Sequence, residues 1–155
     1  MTQNDRLPKA EGRLEWVLYD EKTGQVKKTG FTCNQVQHQC NDLVMSRATK
    51  AGGSSASMFT HMKLSIDTIP ADTTTTLTSY VSGPFTVVAP DASASNNVIT
   101  VLATIPAGRD TGSIQSAGLF STPTNAGLRL CASCVMTKAA GDALALTWTL
   151  TLPYS

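Results

Sequence analysis

The last stretch of the chain alternates strictly between apolar and small polar or alanine side chains. From Leu144 to Leu152, leucine or tryptophan occupies every second position, and alanine or threonine fills the positions between. Successive side chains of a β-strand point to opposite faces, so this pattern predicts a strand with one apolar face. At roughly 3.3 Å per residue it would span about 30 Å, a length that favours a central strand of a sandwich.

The N-terminal third shows the same alternation and predicts a hairpin. The segment 12–20, GRLEWVLYD, has an apolar face made of Leu14, Trp16 and Leu18. Residues 22–24, Lys-Thr-Gly, have the composition of a turn, and the chain then returns through Val26. We expect a second break at Gly30 and Phe31, because glycine within a strand pattern often marks an interruption.

Five further segments predict strands, because each is rich in β-branched or alternating apolar residues and is bounded by turn-forming residues. They are 58–67, 80–89, 98–107, 112–121 and 128–138. In the first of these, one face is apolar and the other carries His61 and Lys63. The proline- and threonine-rich segment 68–79 predicts a loop that feeds an edge strand, and 90–97, PDASASNN, predicts a loop.

One segment alone predicts a helix. Residues 37–50 place Cys40, Leu43 and Val44 at helical spacing, and Gly52-Gly53 suits the end of a helix. Short strands with a single helix predict a mainly-β protein, an antiparallel two-sheet sandwich of jelly-roll type. The predicted core comprises Leu14, Trp16, Leu18, Leu43, Leu64, Leu119, Leu146, Trp148 and Leu150.

Residues 1–10 show no periodicity, and we expect a flexible arm ahead of a single domain over 11–155. A chain of 155 residues buries enough surface to fold without a metal or disulfide bonds. Its net charge of +1 provides no field that would attract nucleic acid or an anionic membrane. The N-terminus lacks the apolar core of a signal peptide, and no stretch reaches 18 apolar residues, so we expect a soluble product of the cytoplasm.

Candidate catalytic residues are few. His38 and His61 are the two histidines, and neither sits in a recognisable catalytic motif. Asp67 and Asp110 could meet in a sandwich as a glycosidase-type carboxylate pair, although nothing in their spacing singles them out. We therefore expect a protein that is not an enzyme and that needs no cofactor.

The four cysteines allow three interpretations. Cys33, Cys40, Cys131 and Cys134 supply the number of thiolates that a structural zinc site requires. The Cys131-x2-Cys134 pair, however, falls within a predicted strand, where positions three apart point to opposite faces. At least one disulfide bond, with Cys33–Cys40 the simplest pairing, is the second interpretation. We favour buried free thiols that pack as small apolar groups.

Three segments together resemble small structural proteins of tailed bacteriophages. They are the hairpin region 11–36, EGRLEWVLYDEKTGQVKKTGFTCNQV, the strand 113–121, SIQSAGLFS, and the closing segment 138–153, KAAGDALALTWTLTLP. The resemblance implies a β-sandwich component of the virion. Its preferred role is a capsid decoration or cement protein, and the alternative is a collar, neck or tail-fibre subunit.

The resemblance also implies partners. These are other virion proteins, the major capsid protein or the neck and tail proteins, and further copies of the same chain, with no role for nucleic acid or membrane. We expect residues 1–10 to lie along a neighbouring subunit, because a polar arm cannot order itself alone. A carbohydrate- or receptor-binding module is a more remote alternative, since such sites use exposed aromatic residues and aromatics make up only 6% of this chain.

Overall fold

The computed structural model describes residues 11–33, 35–36, 61–69, 91–95, 98–120 and 128–151. In these ranges the chain forms strands only: β1 (Glu11–Asp20), β2 (Val26–Cys33), β3 (Gln35–Val36), β4 (His61–Ser65), β5 (Asp91–Ser95), β6 (Val98–Ile105), β7 (Gly112–Phe120), β8 (Leu128–Lys138) and β9 (Asp142–Thr151). The predicted helix, the predicted strand 80–89 and the N-terminal arm lie outside the described residues. Within these ranges, nothing forms a helix long and apolar enough to cross a membrane.

Two antiparallel sheets pack face to face, as the sequence predicts. The five-stranded sheet has the order β2-β1-β9-β6-β5, and the four-stranded sheet has the order β3-β8-β7-β4. The predicted two-sheet sandwich is therefore confirmed. The predicted central position of the last strand is also observed, because β9 lies between β1 and β6 and pairs with both along most of its length.

The core lies between the sheets and is built from the apolar faces that alternation predicts. Trp148, at the centre of β9, is fully buried and packs with side chains from both sheets. Leu43 lies outside the described residues. The other predicted core residues are all in this cluster: Leu14, Trp16, Leu18, Leu64, Leu119, Leu146, Trp148 and Leu150.

The expected break at Gly30 and Phe31 is wrong. β2 continues through both residues, and Gly30 pairs with Trp16 of β1. The indole ring of Trp16 lies in the space that a Cβ atom at position 30 would fill. Gly30 is therefore glycine because the neighbouring ring needs the room, not because the strand ends there.

The expected loop at 90–97 is also wrong in part. Asp91–Ser95 forms β5, which pairs with β6 at the edge of the five-stranded sheet. Serine, alanine and aspartate have low strand propensity, but an edge strand is held by its backbone hydrogen bonds to a regular neighbour. The β-branched partner strand β6 supplies that neighbour.

Most of the polar face on the strand containing His61 and Lys63 is buried, although His61 itself is half-buried. Met62 and Leu64 face the core as predicted, yet Lys63 and Ser65, on the opposite face, are also inaccessible to solvent. Phe120, Leu128 and Cys131 form a second small buried cluster on the four-stranded sheet, separate from the main core. Alternation of apolar and polar residues indicates only one buried face. It does not reveal burial on the opposite face, because the buried residues there, Lys63 and Ser65, are polar.

Candidate functional site

Two regions of the sandwich hold the polar chemistry of the described residues. The closed end comprises residues 20–25, 106–111 and 138–142, where three connections between strands meet. The open side comprises β2 and residues 132–136 of β8, where one edge of each sheet lies along the same flank.

Lys138 is the centre of the closed end. Its side chain is buried, and its Nζ donates to the carbonyl oxygens of Pro106 at 3.0 Å and Arg109 at 2.7 Å. Burial lowers the pKa of Lys138, while the charges of Asp110 and Asp142 act in the opposite direction. The ammonium thus holds the turn between β6 and β7 from inside.

Asp142 ties a second connection to the same end. Its carboxylate accepts hydrogen bonds from Lys27 Nζ at 2.5 Å and from the backbone N–H of Ala139 at 3.1 Å. The hydrogen bond from Lys27 holds the pKa of Asp142 below its usual range, and the same bond raises the pKa of Lys27. The start of β9 is therefore fixed to β2 and to the β8–β9 turn.

The β1–β2 turn completes the closed end. Asp20 accepts hydrogen bonds from the backbone N–H groups of Lys22 and Thr23, which lowers its pKa, and Gly24 adopts a left-handed backbone with φ of +72°. Glu21 accepts a hydrogen bond from the backbone N–H of Ala107 at 3.2 Å, which links this turn to the β6–β7 connection. Hydrogen bonds within the chain therefore link all three connections of the closed end.

The open side begins where the chain changes sheets. β2 ends at Cys33 in the five-stranded sheet, and β3 begins at Gln35 in the four-stranded sheet. Gln35 and Val36 of β3 pair with Cys131 and Leu130 of β8. The chain therefore crosses from one sheet to the other on this flank.

A lysine side chain of β2 reaches the backbone of β8 on this flank. Lys28 of β2 donates from its Nζ to the backbone carbonyl of Val135 at 3.1 Å. Lys28 pairs with Leu18, and Gly30 pairs with Trp16, so both β2 residues lie on the face of the sheet that is turned towards the four-stranded sheet. A side-chain hydrogen bond thus links the two sheets at this flank.

Trp16 carries an unsatisfied donor at this flank. Its Nε1 is buried and has no hydrogen-bond partner, and among the described residues it is the one buried side-chain polar atom in that condition. Leaving such a donor unpaired costs about 1–3 kcal/mol. Because the indole ring lies against Gly30, the unpaired N–H is located beneath the edge strand β2.

Exposed apolar side chains lie on the outward faces of the two strands that border the open side. Phe31 is 62% exposed, Val26 55% and Val135 51%. Arg13 stacks on the Phe31 ring at 4.0 Å from its centroid and also pairs with Glu15 at 3.1 Å. The flank therefore combines an edge strand, apolar side chains and cationic donors.

Lys63 forms a further polar feature on the outer face of the four-stranded sheet. Its Nζ lies 4.1 Å from the centroid of the Phe120 ring, and burial lowers its pKa to about 8. Burial and the charge of Lys63 also lower the pKa of His61. His38 lies outside the described residues.

The cysteines do not converge where the structure describes them. Cys131 belongs to the small cluster with Phe120, whereas Cys134 faces the main core, so the two lie on opposite faces of β8. Burial raises the pKa of Cys134 to about 12. Cys33 is exposed on β2, and Cys40 lies outside the described residues. The described part contains no group of three or more histidine, cysteine or acidic residues that could hold a metal.

The two aspartates considered as a carboxylate pair have separate surroundings. Asp67 follows β4, where its backbone carbonyl accepts a hydrogen bond from Ser116 and its N–H donates to Ser65. Asp110 lies in the β6–β7 connection close to Lys138, with a left-handed φ of 45°. Each is tied to the local structure of its own loop.

The sequence analysis identified neither the buried Lys138 nor the unpaired N–H of Trp16. A lysine at the end of a predicted strand gives no sign of burial. The change of sheet between Cys33 and Gln35 is also not visible in the sequence pattern.

The comparisons with known proteins gave no match, so the function is inferred from the fold and from these two regions. No family model matches the chain, and neither the curated proteins nor the solved structures contain a significant match.

Proposed function

We propose that this protein is a non-enzymatic structural subunit of a bacteriophage particle, with capsid decoration or cement protein as the preferred role. The resemblance of three segments to small structural proteins of tailed phages first suggests this role. The sandwich fold is compatible with it, although a sandwich alone specifies no function.

The observation that carries the proposal is the open side. An eight-residue edge strand with exposed Val26 and Phe31 is a surface on which another protein chain can pair or pack. Large exposed apolar side chains beside an open edge are typical of interaction sites. A cement protein needs such a surface, since it stabilises a shell by contacts with capsid subunits and with copies of itself.

The closed end supports the same role in a different way. Its three connections are cross-linked within the chain by hydrogen bonds of Lys138, Asp142 and Glu21. A sandwich whose connections are cross-linked at one end and that presents an edge strand on one flank is suited to repeated, identical contacts in an assembly.

The copy number in purified particles tests this proposal. We expect the chain to copurify with particles from the source lysate in hundreds of copies, measured on a quantitative gel against the major capsid protein. A dozen copies or fewer would reassign it to the collar, neck or tail. Its absence from particles would overturn the proposal.

A variant lacking residues 2–10 tests the predicted role of the arm. We expect its melting temperature to match that of the full chain, because residues 1–10 lack the apolar periodicity of a core-forming segment. Its binding to particles that lack the protein should be much weaker. Equal decoration by both forms would show that the contacts do not involve the arm.

A further inference from the structure

We propose that two copies of this chain pack together through the outer faces of their five-stranded sheets, with β1 of each copy lying against β9 of the other. The outer face is the side of that sheet turned away from the core. This contact goes beyond the proposed function, since it needs no other virion protein. It also differs from the open side, where the side chains of β2 that face the core side reach β8.

The strand register places the outward side chains in rows that cross the sheet. Residues directly opposite each other on neighbouring antiparallel strands point to the same face. Because Leu14, Trp16 and Leu18 face the core, the residues between them on β1 face outward. In the order β2, β1, β9 and β6, one row is Phe31, Glu15, Thr147 and Leu102, and the next is Thr29, Val17, Ala145 and Thr104.

These rows reach solvent and carry apolar side chains. Five large apolar side chains are exposed in the part of the chain that the structure describes, and two of them, Phe31 and Leu102, lie at the two ends of one row. Between them, the side chain of Glu15 is 50% exposed, and Thr147 is partly exposed. Large apolar side chains exposed on one face are typical of an interaction surface.

The shape of the face fits a second copy of itself. On β1 the outward side chains include Glu15 and Val17, whereas the positions beside them on β9 are the smaller Thr147 and Ala145. β1 therefore forms a ridge and β9 a groove. A two-fold axis parallel to the strands, between β1 and β9, places the ridge of each copy over the groove of the other and keeps every row in register. Such self-complementarity is what a symmetric dimer contact requires.

The same axis matches the chemistry within each row. Phe31 of one copy meets Leu102 of the other, and symmetry repeats this contact. Glu15 meets Thr147, whose hydroxyl group can donate to the carboxylate. Arg13 pairs with Glu15 of its own chain at 3.1 Å, so the charges of the ridge balance. Arg13 also stacks on the Phe31 ring at 4.0 Å, which holds the ring in place before the two copies meet.

The size of the face is that of a specific interface. Four strands about 4.8 Å apart and about 30 Å long cover roughly 600 Å² on each copy, or about 1,200 Å² for the pair. This area lies at the lower end of the range for specific complexes. We therefore expect a dimer that forms at roughly micromolar concentrations and dissociates on dilution.

Sedimentation velocity over a concentration series tests the contact in the full chain. We expect a monomer at low concentration and a dimer at high concentration. Thr147→Arg fills the groove and should weaken dimerisation at least tenfold. Thr137→Arg, the same change at an exposed position of β8, should leave it unaltered. A chain that stays monomeric throughout, or a dimer that Thr147→Arg leaves equally strong, would overturn the inference.

A cysteine pair tests the orientation of the two copies and leaves the groove unchanged. Phe31→Cys and Leu102→Cys are made in separate chains, each of which also carries Cys33→Ser and Cys40→Ser. Oxidation of the mixture with copper phenanthroline should give a disulfide-linked dimer, because positions 31 and 102 face each other across the axis. The mixed dimer keeps the second contact between Phe31 and Leu102.

The separate chains are the control for this cross-link. In a dimer of either variant alone, the two introduced cysteines lie three strand spacings apart, or about 14 Å, which is too far for a disulfide bond. We therefore expect no cross-link from either variant alone. No cross-link in the mixture, or the same yield in the mixture and in the separate chains, would contradict the proposed arrangement.

The outcomes separate this inference from the proposed function. If the chain dimerises as expected but is absent from particles, the dimer contact stands and the phage role fails. If particles contain the chain but it stays monomeric in solution, the phage role stands and the dimer contact fails.

Discussion

The closed end and the open side contain the same kinds of residue but differ in how those residues are satisfied. At the closed end, Lys138 has two carbonyl acceptors and Asp142 has two donors. On the open side, Lys28 donates directly to the backbone carbonyl of Val135, and the buried Trp16 N–H has no partner. The first arrangement satisfies its buried polar groups within one chain. The second leaves one buried donor unsatisfied.

The free-energy cost of burying polar groups also differs between the two regions. A buried ammonium is stabilising only when its hydrogen bonds are made, and Lys138 makes them. An unpaired buried donor reduces stability, so its presence on one flank marks a place where the isolated fold is not optimal. Function is a common reason for such a local defect.

The largest expected loss of stability comes from truncating a core residue, Trp148. Trp148 is fully buried in β9, and Trp148→Ala should lower the free energy of unfolding by roughly 3–5 kcal/mol, as aromatic truncations in cores do. Urea unfolding followed by circular dichroism measures it. An unchanged unfolding midpoint would contradict the position of Trp148 in the core.

The next effect probes the closed end. Lys138→Met keeps the apolar volume but leaves the carbonyls of Pro106 and Arg109 without their donor, and should cost about 2–3 kcal/mol. Lys22→Met, at the exposed turn, is the control and should change stability by less than about 0.5 kcal/mol. Equal stability of the two variants would show that the hydrogen bonds of Lys138 do not stabilise the closed end.

Acidic pH should weaken the closed end before it affects the open side. Asp142 and Asp20 have lowered pKa values in the folded state, so their contribution is present above the ordinary aspartate pKa and is lost as pH falls through the folded values. The melting temperature should therefore decrease as the pH is lowered below about 4. Asp142→Asn should be less stable than the parent at pH 7 and should show a smaller acid loss; an unaltered acid profile would rule out this role of Asp142.

The smallest effect on folding belongs to the open side. Phe31 is 62% exposed, and Phe31→Ser should change stability by less than about 0.5 kcal/mol. The same variant should bind particles more weakly, because it removes the largest exposed apolar side chain on β2. A strong loss of stability would mean that Phe31 belongs to the fold and not to an interface.

The sequence predicted the sandwich because its signal is local. Alternation at Leu144, Leu146 and Trp148 specifies a strand and its buried face without knowledge of any neighbour. β5 was missed because Asp91–Ser95 is held by pairing with β6, which is information about a partner strand. Gly30 was misread for the same reason, since only the register places Trp16 against it.

The candidate site was less predictable than the fold. The contact of Lys28 with Val135 arises because β2 and β8 lie side by side in the fold, and the closed end arises because three connections distant in sequence meet around Lys138. No sequence motif marks either of these features. Both depend on the tertiary arrangement of residues that, read singly, resemble ordinary surface lysines and aspartates.

Hydrogen–deuterium exchange of the free and the particle-bound protein tests the central claim most directly. On binding, backbone amides of β2 and of residues 132–136 in β8 should become protected, while those of 106–111 and 139–142 at the closed end should exchange at the same rate in both states. Protection at the closed end with no change along β2 and β8 would contradict the assignment of the open side as the surface of assembly.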